Sequence, residues 1–185
     1  MINSLYDCFK HWSKSGSVYL ISDTHFEDND CKLMDKNWIT PQEHINKIKK
    51  KVHKNDTLIH LGDVGNPEWL DQLKCYKVLI TGNHDKPSLL RKHFNEVYAG
   101  PLFIAPKLLL SHEPIALDFC YNIHGHCHNG EQAVNALNIA SNVINYEVVN
   151  LGELIKKGIF SKIDDLHRQT IDKATANKKE KANNE

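Results

Sequence analysis

Five apolar runs in this chain each end in a cluster of residues able to bind metal or phosphate. The clusters are Asp23-Thr24-His25, Gly62-Asp63, Gly82-Asn83-His84-Asp85, Ser111-His112 and Gly125-His126-Cys127-His128. A short apolar run bounded by turn-forming residues reads as a buried strand. In layered α/β folds the carboxyl ends of strands share one rim, where ligands bind. Polar clusters far apart in sequence can converge there, and this requirement constrains the fold more than any other feature of the chain.

The strands expected from the runs are Val18–Ile21, Leu58–Leu61, Lys77–Thr81, Leu102–Ile104, Leu108–Leu110, Tyr121–Ile123 and Asn145–Val149. Helical spacing of Ile2, Leu5, Phe9 and Trp12 predicts an amphipathic helix over residues 1–15. Residues 27–38 are polar without a period and read as a loop. Thr40-Pro41-Gln42-Glu43 has the Thr cap, first-turn proline and third-position Glu that start a helix. Ile45, Ile48 and Val52 mark its buried face, with Lys47 to Lys54 mostly solvated. Further helices are expected from Asn66 to about Leu73, from Pro87 to about His93, from Leu151 to Lys156 and from Ser161 to about Ala174. Strand–helix units come first and an antiparallel-leaning sheet follows, which is an α/β layered arrangement. The organisation expected is one domain over residues 1–176, with 177–185 a frayed tail.

The clusters hold seven oxygen and nitrogen donors. On an extended segment Asp23 and His25 point the same way, as do His126 and His128. Asp63 stands alone and is placed to bridge two ions with its two oxygens. Asn83 offers an amide oxygen and His112 another nitrogen. Mixed carboxylate and imidazole donors suit borderline divalent ions, with Mn favoured and Fe, Ni, Zn or Co as alternatives. Two ions about 3.5–4 Å apart can bind a bridging hydroxide, lower its pKa and clamp phosphate oxygens. His84 is left over to protonate a departing oxygen or bind phosphate, with Asp85 fixing its tautomer. Taken singly, Asp-Thr-His and Gly-Asp are also ordinary turn sequences; the case rests on all five in order.

Acidic and basic residues balance at 23 each, so no global field recruits nucleic acid or an anionic membrane. Five cysteines, an odd number without a CxxC pair, predict free thiols in a reducing cytoplasm. The sequence shows no signal peptide and no apolar run long enough to span a membrane. Of the twelve histidines, His44, His53 and His167 read as solvated helix positions. His60 and Cys127 read as structural, and His124 as packed or supporting a ligand. Glu27, Asp28 and Asp30 read as a solvated loop or an acidic rim. Lys86 and Arg91 flank the third cluster.

From Val18 to Val149 the motif order resembles the calcineurin-like metallophosphoesterase superfamily. The resemblance implies a four-layered α/β/β/α sandwich with a dinuclear centre. It implies Asp23, His25, Asp63 and His128 on one ion, and Asp63, Asn83, His112 and His126 on the other. It also implies His84 as general acid or phosphate ligand, with Asp85 behind it. The Gly-Asp motif continues as Val64-Gly65-Asn66-Pro67, lacking the Asp-Arg pair of protein phosphatases. No insertion for a substrate-selecting cap is visible. The chain is thus similar to small uncapped phosphoesterases, many of which cleave diesters. The expected substrate is a small phosphate ester, nucleotides included. A nuclease, a monoesterase or phosphoprotein phosphatase, and a non-catalytic scaffold are the alternatives.

Overall fold

A computed structural model describes residues 1–131, 133–163 and 166–183. The strands are β1 (Val18–Ile21), β2 (Thr57–His60), β3 (Tyr76–Ile80), β4 (Glu96–Tyr98), β5 (Leu102–Ala105), β6 (Leu108–Leu110), β7 (Tyr121–His124), β8 (Ala136–Asn138) and β9 (Val149–Asn150). The first sheet runs β4-β3-β2-β1-β9, parallel except for β9; the second runs β5-β6-β7-β8. Within the second sheet β5–β6 is antiparallel, but β6–β7 and β7–β8 are parallel. The expected antiparallel lean is therefore corrected: β6 and β7, whose ends lead to His112 and His126, both run toward the same rim and so pair in parallel.

Alternation along β1 to β3 builds two cores. Val18, Leu20, Ile59, Val78 and Ile80 face the second sheet, where Ile104, Leu108, Leu110 and Ile123 meet them. Ile21, Leu58 and Leu79 face outward, onto helix α2 (Pro41–Lys51) and the 3-10 helix Pro67–Gln72. Strands buried on both faces read as continuous apolar runs, which is why these three were visible in the sequence. Two sheets face to face with helices outside form the expected α/β sandwich. Helix α2 starts on the expected capping box, with Thr40 and Glu43 bonding reciprocally. The predicted loop at 27–38 contains one helical turn, α1 (Cys31–Met34).

Several other elements differ from expectation. The short amphipathic helix expected in residues 1–15 is a 3-10 helix, Asp7–Ser13, and Leu5, Phe9 and Trp12 are buried as the spacing required. Helix α3 (Pro87–Leu90) ends earlier than the expected His93. Asn145 and Tyr146 take positive φ and form a turn, so the predicted strand shrinks to β9. Helix α4 (Leu151–Lys156) is as expected, and α5 spans Leu166–Asn183, starting and ending later than the helix expected from Ser161 to about Ala174. His44 is buried, not solvated, packing between Phe26 and Tyr146. The side chain of His167 lies outside the described residues.

The N-terminal segment is fastened through Glu96. Its carboxylate accepts from His11 (2.6 Å), Trp12 (2.9 Å), Tyr76 (2.8 Å) and Tyr98. Burial would raise this acid, but the four donors outweigh it and hold it at about 2.

Candidate metal centre

The loops leaving β1, β2, β3, β6 and β7 deliver all five clusters to one rim. Asp23, His25, Asp63 and His126 reach it in the left-handed region, with φ of 55°, 41°, 56° and 66°. Non-glycine residues there cost on the order of 1–2 kcal/mol each and concentrate at functional sites. The expected extended geometry of Asp23-x-His25 and His126-x-His128 is thus corrected: sharp turns, not strand alternation, aim these side chains. Glycines make room beside them. A Cβ on Gly125 would collide with Asp23 Oδ2, and one on Gly82 with Asp63 Oδ1.

Two groups of donors result: Asp23, His25 and His128, and Asp63, His112 and His126. In the first, Asp23 Oδ1 lies 3.6 Å from His128 Nε2 and 4.0 Å from His25 Nε2. In the second, His112 Nε2 lies 3.3 Å from Asp63 Oδ2 and 3.1 Å from His126 Nδ1. Asn83 Oδ1 is 2.9 Å from the same His112 nitrogen. Asp63 Oδ2 is also 3.8 Å from His25 Nε2, so one carboxylate oxygen faces both groups. Donors about 2.0–2.2 Å from a common ion lie roughly 3–4.4 Å apart, depending on the angle between them, so the spacings fit an ion at either group. Asp23 Oδ1 and His25 Nε2 are buried with no hydrogen-bond partner. Such orphaned atoms are rare and costly, and a cation between them would satisfy both.

The far nitrogens of three histidines are held. His25 Nδ1 donates to Asp28 Oδ2 (3.1 Å), His128 Nδ1 to Asn142 Oδ1 (3.0 Å) and His112 Nδ1 to the Leu61 carbonyl (2.8 Å). In the neutral tautomers this turns each Nε2 lone pair inward, as metal-binding histidines require. Asp28 was expected only as loop or rim, and Asn142 was not singled out at all. Asp28 follows His25 by three residues in a tight turn, a signal the sequence contains; Asn142 is 14 residues from His128 and leaves no local trace.

Burial works against charge on both members of the Asp63–His112 pair, but each reverses this for the other. Asp63 is held at about 2 by His112, the His84 amide and His25; His112 is lifted to about 8 by Asp63 and Asp23.

His84 is exposed at the mouth, its ring 5.9 Å from that of His25 and its amide donating to Asp63 Oδ1 (3.0 Å). Asp85 does not take its expected place behind that imidazole. Its carboxylate accepts from the amides of Asp63 (3.0 Å), Val64 (3.0 Å) and Gly82 (2.9 Å). It therefore clamps the β2 and β3 loops together and fixes Asp63. His60 is buried and bonded to Thr24, as its structural reading required. His124 is buried behind the rim, with Nδ1 on the Gly125 carbonyl (2.8 Å). Glu27 accepts from Asn66 and Trp69.

The fold and rim define a class. A domain model of the calcineurin-like phosphoesterase superfamily matches residues 17–158, and the chain belongs to that family. No curated protein matches it. A protein of unknown function from Aquifex aeolicus is similar in structure at a TM-score of 0.64 and 24% identity, covering 76% of this chain and 98% of its own. A nuclease from Pseudomonas putida aligns at a TM-score of 0.42 and 19% identity, over 59% of this chain and 60% of its own. Phosphoester hydrolysis with divalent metals is the general chemistry of the family, and two candidate groups of His and Asp donors are present here. Among the described residues no helix is long and apolar enough to cross a membrane.

Proposed function

We propose that this chain is a phosphodiesterase working with two divalent ions, Mn favoured. Asp23, His25, Asp63 and His128 hold one ion, and Asp63, Asn83, His112 and His126 the other. The observation that carries this is the single Asp63 oxygen facing His25 at 3.8 Å and His112 at 3.3 Å. Ions held there supply Lewis-acid polarisation of the ester and acidify an attacking water.

The chain's own residues do the rest. Asp85 and the His84 amide fix Asp63, so its oxygens need not reorganise during reaction. His84 gives a proton to the departing oxygen as its bond to phosphorus breaks and the bond from water forms. The Val64-Gly65-Asn66-Pro67 continuation offers no arginine for a phosphomonoester dianion, which favours a diester. Balanced charge supports a small ester, nucleotides included, over nucleic acid. Five free thiols support a reducing, cytoplasmic setting.

The test is metal analysis of the purified protein followed by mono- and diesters assayed with Mn, Ni, Zn and Mg. Two equivalents of ion and turnover of diesters above monoesters are expected. No bound ion and no ester hydrolysis would end this reading.

A further inference from the structure

Two recesses flank His25. One, about 430 Å³, is lined by His84, Lys86, Leu89 and Pro67. The other, about 350 Å³, is lined by Trp38, Pro41, His44 and Asn29. His25, Phe26, Glu27 and Asp28 border both, and His84 belongs to the first alone. Both volumes are in the range of small-molecule sites.

We propose that the Trp38 recess is the subsite for the arm of the diester that stays on phosphorus, and that this arm carries an uncharged planar ring such as a nucleobase. The inference rests on the phosphodiesterase reading above. The departing oxygen must lie within reach of His84, so the departing arm occupies the His84 recess. The retained arm then leaves the centre on the other side of His25. Trp38 joins that side to the buried donors, its ring 5.9 Å from His25 and 5.7 Å from His128.

The lining sets the chemistry of the occupant. Trp38, 9% exposed, borders the recess and suits contact with a planar group. The carboxylates of Glu27, Asp28 and Glu43 outnumber Lys32 and repel an arm bearing a second phosphate. His44 borders the recess, 1% exposed, and its Nε2 has no partner in the protein. Burial keeps this imidazole neutral, pushed down to about 3. Its sealed, uncharged ring makes this part of the wall apolar rather than ionic.

Two esters with the same departing arm test the assignment: bis(p-nitrophenyl) phosphate, which retains a ring, and methyl p-nitrophenyl phosphate, which retains a methyl group. Asn29→Trp, at an exposed position of the lining, should block the recess. It should lower kcat/KM for the first ester about tenfold or more and leave the second within about twofold. Equal losses on both, or none on either, would overturn the subsite. A binding experiment separates this from failure of the activity itself. Adenosine monophosphate titrated into the Mn-loaded protein should quench tryptophan fluorescence. The quench should vanish in Trp38→Phe and need about tenfold more nucleotide in Asn29→Trp. Quenching without turnover of either ester would keep the ring site and overturn the phosphodiesterase reading. Turnover of both esters without discrimination or quenching would overturn the subsite alone.

Discussion

The side chains of Asp23, His25 and His128 are 0%, 5% and 18% exposed, and the Trp38 ring lies against both histidines. Across Asp63, His112 is as buried, but Asn83 and His126 stand in solvent. The groups also differ in what stands behind their histidines. A carboxylate backs His25 and an amide clamps His128, whereas His112 leans on a main-chain carbonyl. Similar donors are thus set in unlike surroundings. The sealed group is preorganised and shielded from water; the open one must order exposed side chains as it binds. The ion at the sealed group should be the tighter and slower to exchange.

The largest effect should come from the residue common to both. Asp63→Asn should strip both ions and lower turnover about 100–1,000-fold, from several kcal/mol of lost Lewis-acid stabilisation. Loss of one equivalent only, read by metal analysis, would mean Asp63 serves one group. His84→Ala should lower kcat about 100-fold or more with two ions still bound; unchanged turnover would remove its acid role. Asp28→Asn should weaken the sealed group alone, about 10–100-fold by metal titration. If the weaker of two binding steps shifts instead, the ranking of the groups is inverted.

The smallest effect is one of pH and belongs to the open group. His112, lifted to about 8, keeps its proton below that pH in the metal-free protein. An ion must displace the proton, so affinity there should rise with pH, about tenfold per unit below 8, and flatten above it. Calorimetry in buffers of different ionisation enthalpy would read the released proton. Affinity falling as pH rises would contradict the assignment.

Much of this was legible in the chain. Strands β1 to β3 are buried on both faces and so uninterrupted in the sequence, and their ends carry the donors. The pairing of Asp23 with His25 followed from spacing, but the left-handed turns that create it did not. Such conformations are set by the close approach of neighbouring loops, as Gly82 and Gly125 show. Asp85 was misplaced because adjacency to His84 in sequence says nothing about three amides arriving from two loops. His44 reads as a solvated helix position between Glu43 and Ile45, although it lies four residues before Ile48 on the buried stripe. Strands β4 and β8 are only three residues long, and Glu96 and Asn138 interrupt their apolar character.

The knot at Glu96 bears on where this protein can be cut. The family match begins at residue 17, yet Trp12 is 1% exposed and four donors converge on one carboxylate behind it. Trimming to the family boundary would uncover the edge of the sandwich core and leave Glu96 with its tyrosines alone. A fragment for expression, or a fusion joint, belongs ahead of the 3-10 helix: the family resemblance delimits the chemistry, while the aromatic residues before it delimit the folding unit.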